Sequence, residues 1–304
     1  MIPVTILGGS DRRPGRLPAE TGLHPLAMYK GAGISVNGRP LVAHLVERLR
    51  AAGGFGPLAI AGPAAAYGAL KLDAELIDTD GTVADNLRAA IAHHGARPEP
   101  LGVLACDVLP AAAELRELRA LYDRHAPAAL WLPFVRVPPD ASALGAFAWK
   151  PKYHIAPEPG APPERILPGH LAILHPSSLR LPLLYRLLGV AYSTRNRSVA
   201  FRRRAMLSET LFALIGTDLR DVARLRAPTL TGTVLASGLR LARLLRRRSL
   251  ERGELERLIA RIFERRDAAL RGIRFPFCAI VSLAEDIDTE EEAHAIGGAI
   301  AGEG

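Results

Sequence analysis

Gly8-Gly9-Ser10 is followed closely by Arg12 and Arg13, and later by Lys30. Glycines let backbone N–H groups approach anionic oxygens, and arginines neutralise the charge those oxygens carry. The combination suits a phosphate, although Gly-Gly after a strand is also an ordinary strand-to-loop turn. The turn matches neither the dinucleotide pattern G-x-G-x-x-G nor the Walker lysine loop, which disfavours those two folds. Seven residues after Lys30 stands Asn37-Gly38-Arg39-Pro40-Leu41, a turn leading into an apolar periodic segment.

Carboxylates form the second group. Asp107 closes the apolar run Leu101–Cys106, and Asp286-Ile287-Asp288-Thr289-Glu290-Glu291 follows the apolar run 275–282. An acid at the carboxyl end of a strand in an open α/β sheet faces the ligand cleft. Magnesium is held by one or two carboxylates together with phosphate oxygens and water, so Asp107 is a candidate ligand. The carboxylates also have structural alternatives. Asp107 could cap the helix at 111–125, and Asp288 or Thr289 could cap the last helix, with Glu290 to Glu292 complementing its dipole. In Asp80-Gly81-Thr82 with Asp85-Asn86, Thr82 is placed to cap a helix. Lys150-Pro151-Lys152 and Gly169-His170 lie further on; a solvated loop suits the former, and nothing fixes a role for the latter.

Apolar periodicity supplies the elements that must position these groups. Strands are expected at 2–7, 57–61, 75–78, 101–106, 128–135, 166–175 and 275–282. Helices are expected at 41–52, 63–70, 82–94 and 111–125. The alternation of strand and helix implies a mainly parallel sheet covered on both faces. Residues 136–164 hold many prolines and look like loop and hairpin. Residues 178–271 read as helices only, near 179–189, 198–215, 217–226, 234–247 and 250–271, with a last helix at 290–301. The sheet core is therefore expected to be 1–135 plus 272–304, with 136–271 as an acceptor-side segment and an Arg-rich helical insertion. No internal repeat is present.

Composition narrows the class. About half of the residues are apolar (49%), enough for a substantial core. Cys106 and Cys278 are the only cysteines, so no disulfide framework is indicated and a cytoplasmic protein is expected. The first residues carry no cationic leader, and no long uncharged apolar run suggests a membrane span. The net charge is +8, yet 195–274 holds 20 Arg and 8 acidic residues, a local excess of +12. The rest of the chain is thus acidic by 4. Arg202-Arg203-Arg204 and Arg246-Arg247-Arg248 flank apolar stripes, which fits a solvated or dimerising helical unit or a surface for anionic membrane. Nucleic acid is disfavoured, because aromatics are nearly absent among the basic clusters.

The order Leu7-Gly8-Gly9-Ser10, Arg12 or Arg13, Lys30 and Gly38-Arg39-Pro40-Leu41 resembles the MobA-like nucleotidyltransferases. That family includes the molybdenum-cofactor guanylyltransferases, the methylerythritol-phosphate cytidylyltransferases and the sugar-1-phosphate nucleotidyltransferases. The resemblance covers 1–135 and 272–304. Pro14 to Met28 lengthen the usual Arg-to-Lys spacing, which leaves the choice between Arg12 and Arg13 open. The resemblance implies a glycosyltransferase-A-like three-layer α/β/α sandwich of the nucleotide-diphospho-sugar transferase type. It also implies a Mg²⁺-dependent transfer from a nucleoside triphosphate to a phosphorylated small molecule, with release of pyrophosphate. Gly8, Gly9, Ser10 and Arg13 would wrap the nucleotide, Lys30 would hold phosphates, Thr82 or Asn86 would touch the base or ribose, and Asp107 with Asp286 or Asp288 of the Asp-Ile-Asp-Thr turn would hold the metal. A nucleotide-sugar glycosyltransferase and a non-catalytic binding protein of the same fold are the alternatives. Cys-Asp-Val at Asp107, in place of an Asp-x-Asp pair, disfavours the former.

Overall fold

The computed structural model describes residues 1–9, 29–95, 99–139, 152–193, 214–215, 218–219, 230–289 and 291–295. Ser10, Arg12, Arg13, Lys150 and Arg202 to Arg204 lie outside them, as do most of the helices expected at 198–226.

The central sheet has seven strands. In spatial order they are β13 (Ile273–Arg274), β7 (Leu130–Trp131), β11 (Leu171–Leu174), β6 (Leu101–Ala105), β1 (Ile2–Leu7), β4 (Phe55–Gly62) and β5 (Glu75–Asp78). All neighbours are parallel except β11, which runs antiparallel to both β6 and β7. The sheet is mainly parallel, as the alternating pattern implies.

Strand alternation sends successive side chains to opposite faces. Val4, Ile6 and Leu104 pack on one face with Leu45 and Leu49 of α2 (Leu41–Ala52) and Leu115 and Leu118 of α5 (Ala112–His125). Leu101 and Val103 pack on the other with Leu87 and Ile91 of α4 (Val83–His94), and α6 (Leu181–Ser193) lies against α4. Two helical layers thus enclose the sheet. A short helix, α1 (Lys30–Gly33), leads into the two-residue strands β2 (Ser35–Val36) and β3 (Arg39–Pro40). They are joined by Asn37-Gly38, both at positive φ, the conformation that hairpin turns of this kind demand.

The departures lie in three expected strands. Residues 128–135 are broken into β7 and β8 (Phe134–Arg136), and 166–175 into β10 (Glu164–Pro168) and β11; of 275–282 only β14 (Phe277–Cys278) is strand, and β13 lies just before that run. Of each pair one strand joins the central sheet and the other a five-stranded sheet of order β12-β9-β10-β8-β14. There β12 is Leu250–Glu251, and β9 (Tyr153–Ala156) with β10 is the hairpin expected in 136–164. The breaks fall at Pro133, Gly169-His170 and Pro276. Proline cannot donate to a ladder, so two of the three corners follow from its missing N–H. Helices Leu230–Arg247 and Arg252–Phe263 pack beside this second sheet, and the latter stops well short of the expected 271.

Candidate active site

The central strands end at a cluster of charged side chains. Lys30, the first residue of α1, has a side chain only 11% exposed and lies 3.6 Å from Asp107 Oδ2. Its ammonium also contacts Asp288 Oδ1 directly. Asp286 Oδ1 lies 2.8 Å from His170 Nδ1. Ligand atoms of Asp107, His170 and Asp286 all fall within 4.8 Å of one another.

Backbone bonds fix this geometry. Ile287 N donates to Asp107 O at 2.7 Å, which ties the Asp-Ile-Asp turn to the end of β6. His170 N donates to Leu283 O at 2.9 Å, and Ala105 N donates to His170 O at 3.1 Å. The β10–β11 corner is therefore bonded both to the strand bearing Asp107 and to the segment bearing Asp286. Gly169 makes that approach possible: a Cβ there would lie 2.8 Å from Leu283 Cδ2 and 2.9 Å from Pro133 O.

The capping alternatives resolve around these residues. Asp107 does not cap α5; the N-cap is Ala111, whose N–H donates to Glu114 Oε2 at 2.6 Å. Thr289 caps the helical segment 291–295, since Glu292 N donates to Thr289 Oγ1 and Glu292 Oε2 accepts from the N–H groups of Asp288 and Thr289. The Asp288 carboxylate is thereby left to face Lys30. Thr82 forms a capping box with Asp85 at the start of α4, accepting from Asp85 N at 3.3 Å while Asp85 Oδ2 accepts from Thr82 N at 3.1 Å.

A second group of sequence candidates gathers where β1 ends. Gly8 N donates to Ala61 O at 2.8 Å. Gly9 packs so tightly on Asn86 that a Cβ there would come within 2.8 Å of Asn86 Nδ2. Asn86 is fully buried; its Oδ1 accepts from Thr79 Oγ1 at 3.2 Å, and its Nδ2 has no hydrogen-bond partner among the described residues. A buried donor left unmade costs about 1–3 kcal/mol, so it marks a place where a ligand acceptor would be favoured. Nearby, Tyr29 Oη donates to Asp80 Oδ1 at 2.9 Å.

Electrostatics make the first cluster hungry for cations. Burial, then the neighbouring Asp286, push the Asp107 carboxyl above its ordinary value, while Lys30 pulls the other way. Two carboxylates about 5 Å apart repel by roughly 3 kcal/mol at an effective dielectric near 20. With a neutral imidazole, three carboxylates face one ammonium, and a single dication balances the excess of two negative charges. The donor set is thus suited to a divalent metal.

His170 is the residue whose place the sequence does not betray. Its partner strand β6 lies antiparallel and about seventy positions away, and no motif links Gly169-His170 to Asp107.

No family model matches the chain, and no curated protein is similar to it in sequence. Among solved structures it is similar to a hypothetical transferase from Thermus thermophilus, at 20% identity over 96% of this chain and 100% of that one, with a TM-score of 0.55. It also aligns with CMP:2-keto-3-deoxy-manno-octonic acid synthetase in complex with CTP, at 13% identity over 99% and 98% of the two chains, TM-score 0.47. A third, 2-C-methyl-D-erythritol 4-phosphate cytidylyltransferase from Thermus thermophilus, shares 15% identity over 68% of this chain and 84% of that one, TM-score 0.35. The likeness to the Thermus transferase is one of fold: a mainly parallel sheet between helical layers.

Proposed function

We propose that the chain is a metal-dependent nucleotidyltransferase of the MobA-like kind. It would join a nucleoside triphosphate to a phosphorylated small molecule and release pyrophosphate. One observation carries this: Lys30, Asp107 and the Asp286–Asp288 turn, which the sequence order singled out from three distant segments, meet at the carboxyl ends of the central strands.

In the reaction an acceptor phosphate oxygen attacks the α-phosphorus in line. A new P–O bond forms, the bond from the α-phosphorus to the bridging oxygen breaks, and pyrophosphate leaves. The acceptor is already an anion, so no general base is needed. Positioning and charge neutralisation do the work. Asp107 and Asp286 would hold Mg²⁺ or a similar dication, which supplies charge neutralisation at the phosphates. Lys30 offsets the charge of the triphosphate and, until substrate enters, is held by Asp107 and Asp288. Gly8, Gly9 and Asn86 line the nucleotide side, where the Asn86 amide offers its spare donor to the base or ribose. Ser10 with Arg12 or Arg13 would complete the triphosphate loop. Thr82 supports that side as a cap. Residues 1–135 and 272–304, together with the corner at His170 and β11, would carry the nucleotide chemistry, with the rest of the segment between them serving the acceptor.

Peripheral contact with anionic membrane is proposed for the Leu230–Arg247 helix. Leu239 is 69% exposed on it, and Arg243, Arg246 and Arg247 make no ion pair among the described residues. Arg240, by contrast, is paired with Glu254 at 2.6 Å. No helix among the described residues is long and apolar enough to cross a membrane.

Pyrophosphate release from four nucleoside triphosphates, each with sugar, polyol and lipid-linked phosphates, tests the reaction. No turnover with any triphosphate, and no nucleotide-dependent thermal shift, would refute it.

A further inference from the structure

Oxygen-only sites suit Mg²⁺, which keeps several waters and accepts carboxylates and phosphates. The cluster at the strand ends differs, because an imidazole stands in it beside two carboxylates. Its placement is built in. Both backbone groups of His170 are bonded, one toward Leu283 and one from Ala105. A larger residue at 169 would collide with Leu283 and Pro133. The backbone that carries the ring is therefore fixed at the corner between the two sheets. The 2.8 Å between His170 Nδ1 and Asp286 Oδ1 is close to the edge of an octahedron with metal–ligand bonds near 2.1 Å, about 3 Å. A simple His–Asp pair would account for that one contact. It would not account for a second carboxylate, Asp107, converging on the same point from another strand.

Resting on the nucleotidyltransferase reading of this site, we infer that His170 is a third, nitrogen ligand to the divalent cation, so that the site prefers Mn²⁺ over Mg²⁺. Imidazole suits first-row transition metals better than Mg²⁺, and Mn²⁺, the weakest binder of that series, is the one that shares with Mg²⁺ a preference for carboxylate and phosphate oxygens. The triad would thus bind Mn²⁺ before any nucleotide arrives.

The test is electron paramagnetic resonance of Mn²⁺ added to the metal-free, nucleotide-free protein. Wild type is expected to bind Mn²⁺ with electron spin-echo modulation from a directly bound ¹⁴N. Incorporation of ¹⁵N-histidine should change that modulation without altering the protein. In His170→Gln the nitrogen signal should vanish and Mn²⁺ affinity should fall by at least roughly tenfold, the least that even indirect metal-site partners cost. Mg²⁺ should displace Mn²⁺ from this variant at much lower excess than from wild type. Mn²⁺ binding that Asp107→Asn abolishes but that shows no nitrogen coupling in wild type would overturn the inference and leave the metal site standing. Absence of Mn²⁺ binding, or binding unaffected by Asp107→Asn, would overturn both.

Discussion

Asp107 is held where its charge is costly. Burial and Asp286 disfavour the carboxylate more than Lys30 favours it, so its pKa in the fold lies above the unfolded value near 4. The folded state then binds more protons than the unfolded state between those two values, and stability falls as pH rises through that window. Asp107→Asn keeps the shape and removes the charge. In EDTA the variant is expected to melt at a higher temperature than wild type at pH 8, with the gap closing toward pH 4. A variant that melts lower at pH 8 would show that the carboxylate stabilises the metal-free fold. Such a cost is sensible at a position selected for ligand binding, since active sites concentrate perturbed groups.

Two elements position the site, and each makes its own prediction. The corner at Gly169 carries His170. Gly169→Ala would force a methyl group against Leu283 and the Pro133 carbonyl, and overpacking of this kind costs about 1–3 kcal/mol. A chemical denaturation series checks this, and Mn²⁺ affinity should fall with stability; a neutral effect on both would mean the corner is slack. The start of α4 behaves differently. Thr82→Ala removes a capping box and should cost about 1 kcal/mol, with kcat/KM within about twofold of wild type. A large rise in KM for nucleotide would instead make Thr82 a contact.

These elements also show where the sequence could be read. The helices at 41–52, 83–94 and 112–125 fall within a residue of their expected bounds because period and cap agree locally. Lys30, Asp107 and Asp288 converge as their order implied. The corners at Pro133, Gly169 and Pro276 were invisible as corners, because an apolar run looks the same whether it stays in one sheet or crosses into another. Only long-range pairing decides that, which is why the sequence offers Gly169-His170 without a role.

At the scale of the molecule, charge is segregated. The cluster at the strand ends carries a local excess of carboxylates, while the Arg-bearing helices Leu230–Arg247 and Arg252–Phe263 lie beside the second sheet. If the Leu230–Arg247 helix meets anionic membrane, the protein should co-sediment with vesicles containing phosphatidylserine but not with neutral ones, less so at high salt. Neutralising Arg243, Arg246 and Arg247 by substitution with Gln should weaken binding roughly a hundredfold, on about 1 kcal/mol per basic residue. Equal binding of both vesicle types, or none, would remove the membrane contact without touching the catalytic proposal.

The central claim is that residues from three distant segments form one nucleotidyl-transfer site. Its most direct test is pyrophosphate formation by wild type and Asp107→Ala, with each nucleoside triphosphate, a panel of phosphorylated acceptors and Mg²⁺ or Mn²⁺. Wild type is expected to release pyrophosphate with at least one pair of substrates, and Asp107→Ala to lose about a hundredfold or more of that rate. Full activity in the folded variant, or no pyrophosphate from wild type with any pair, would contradict the account.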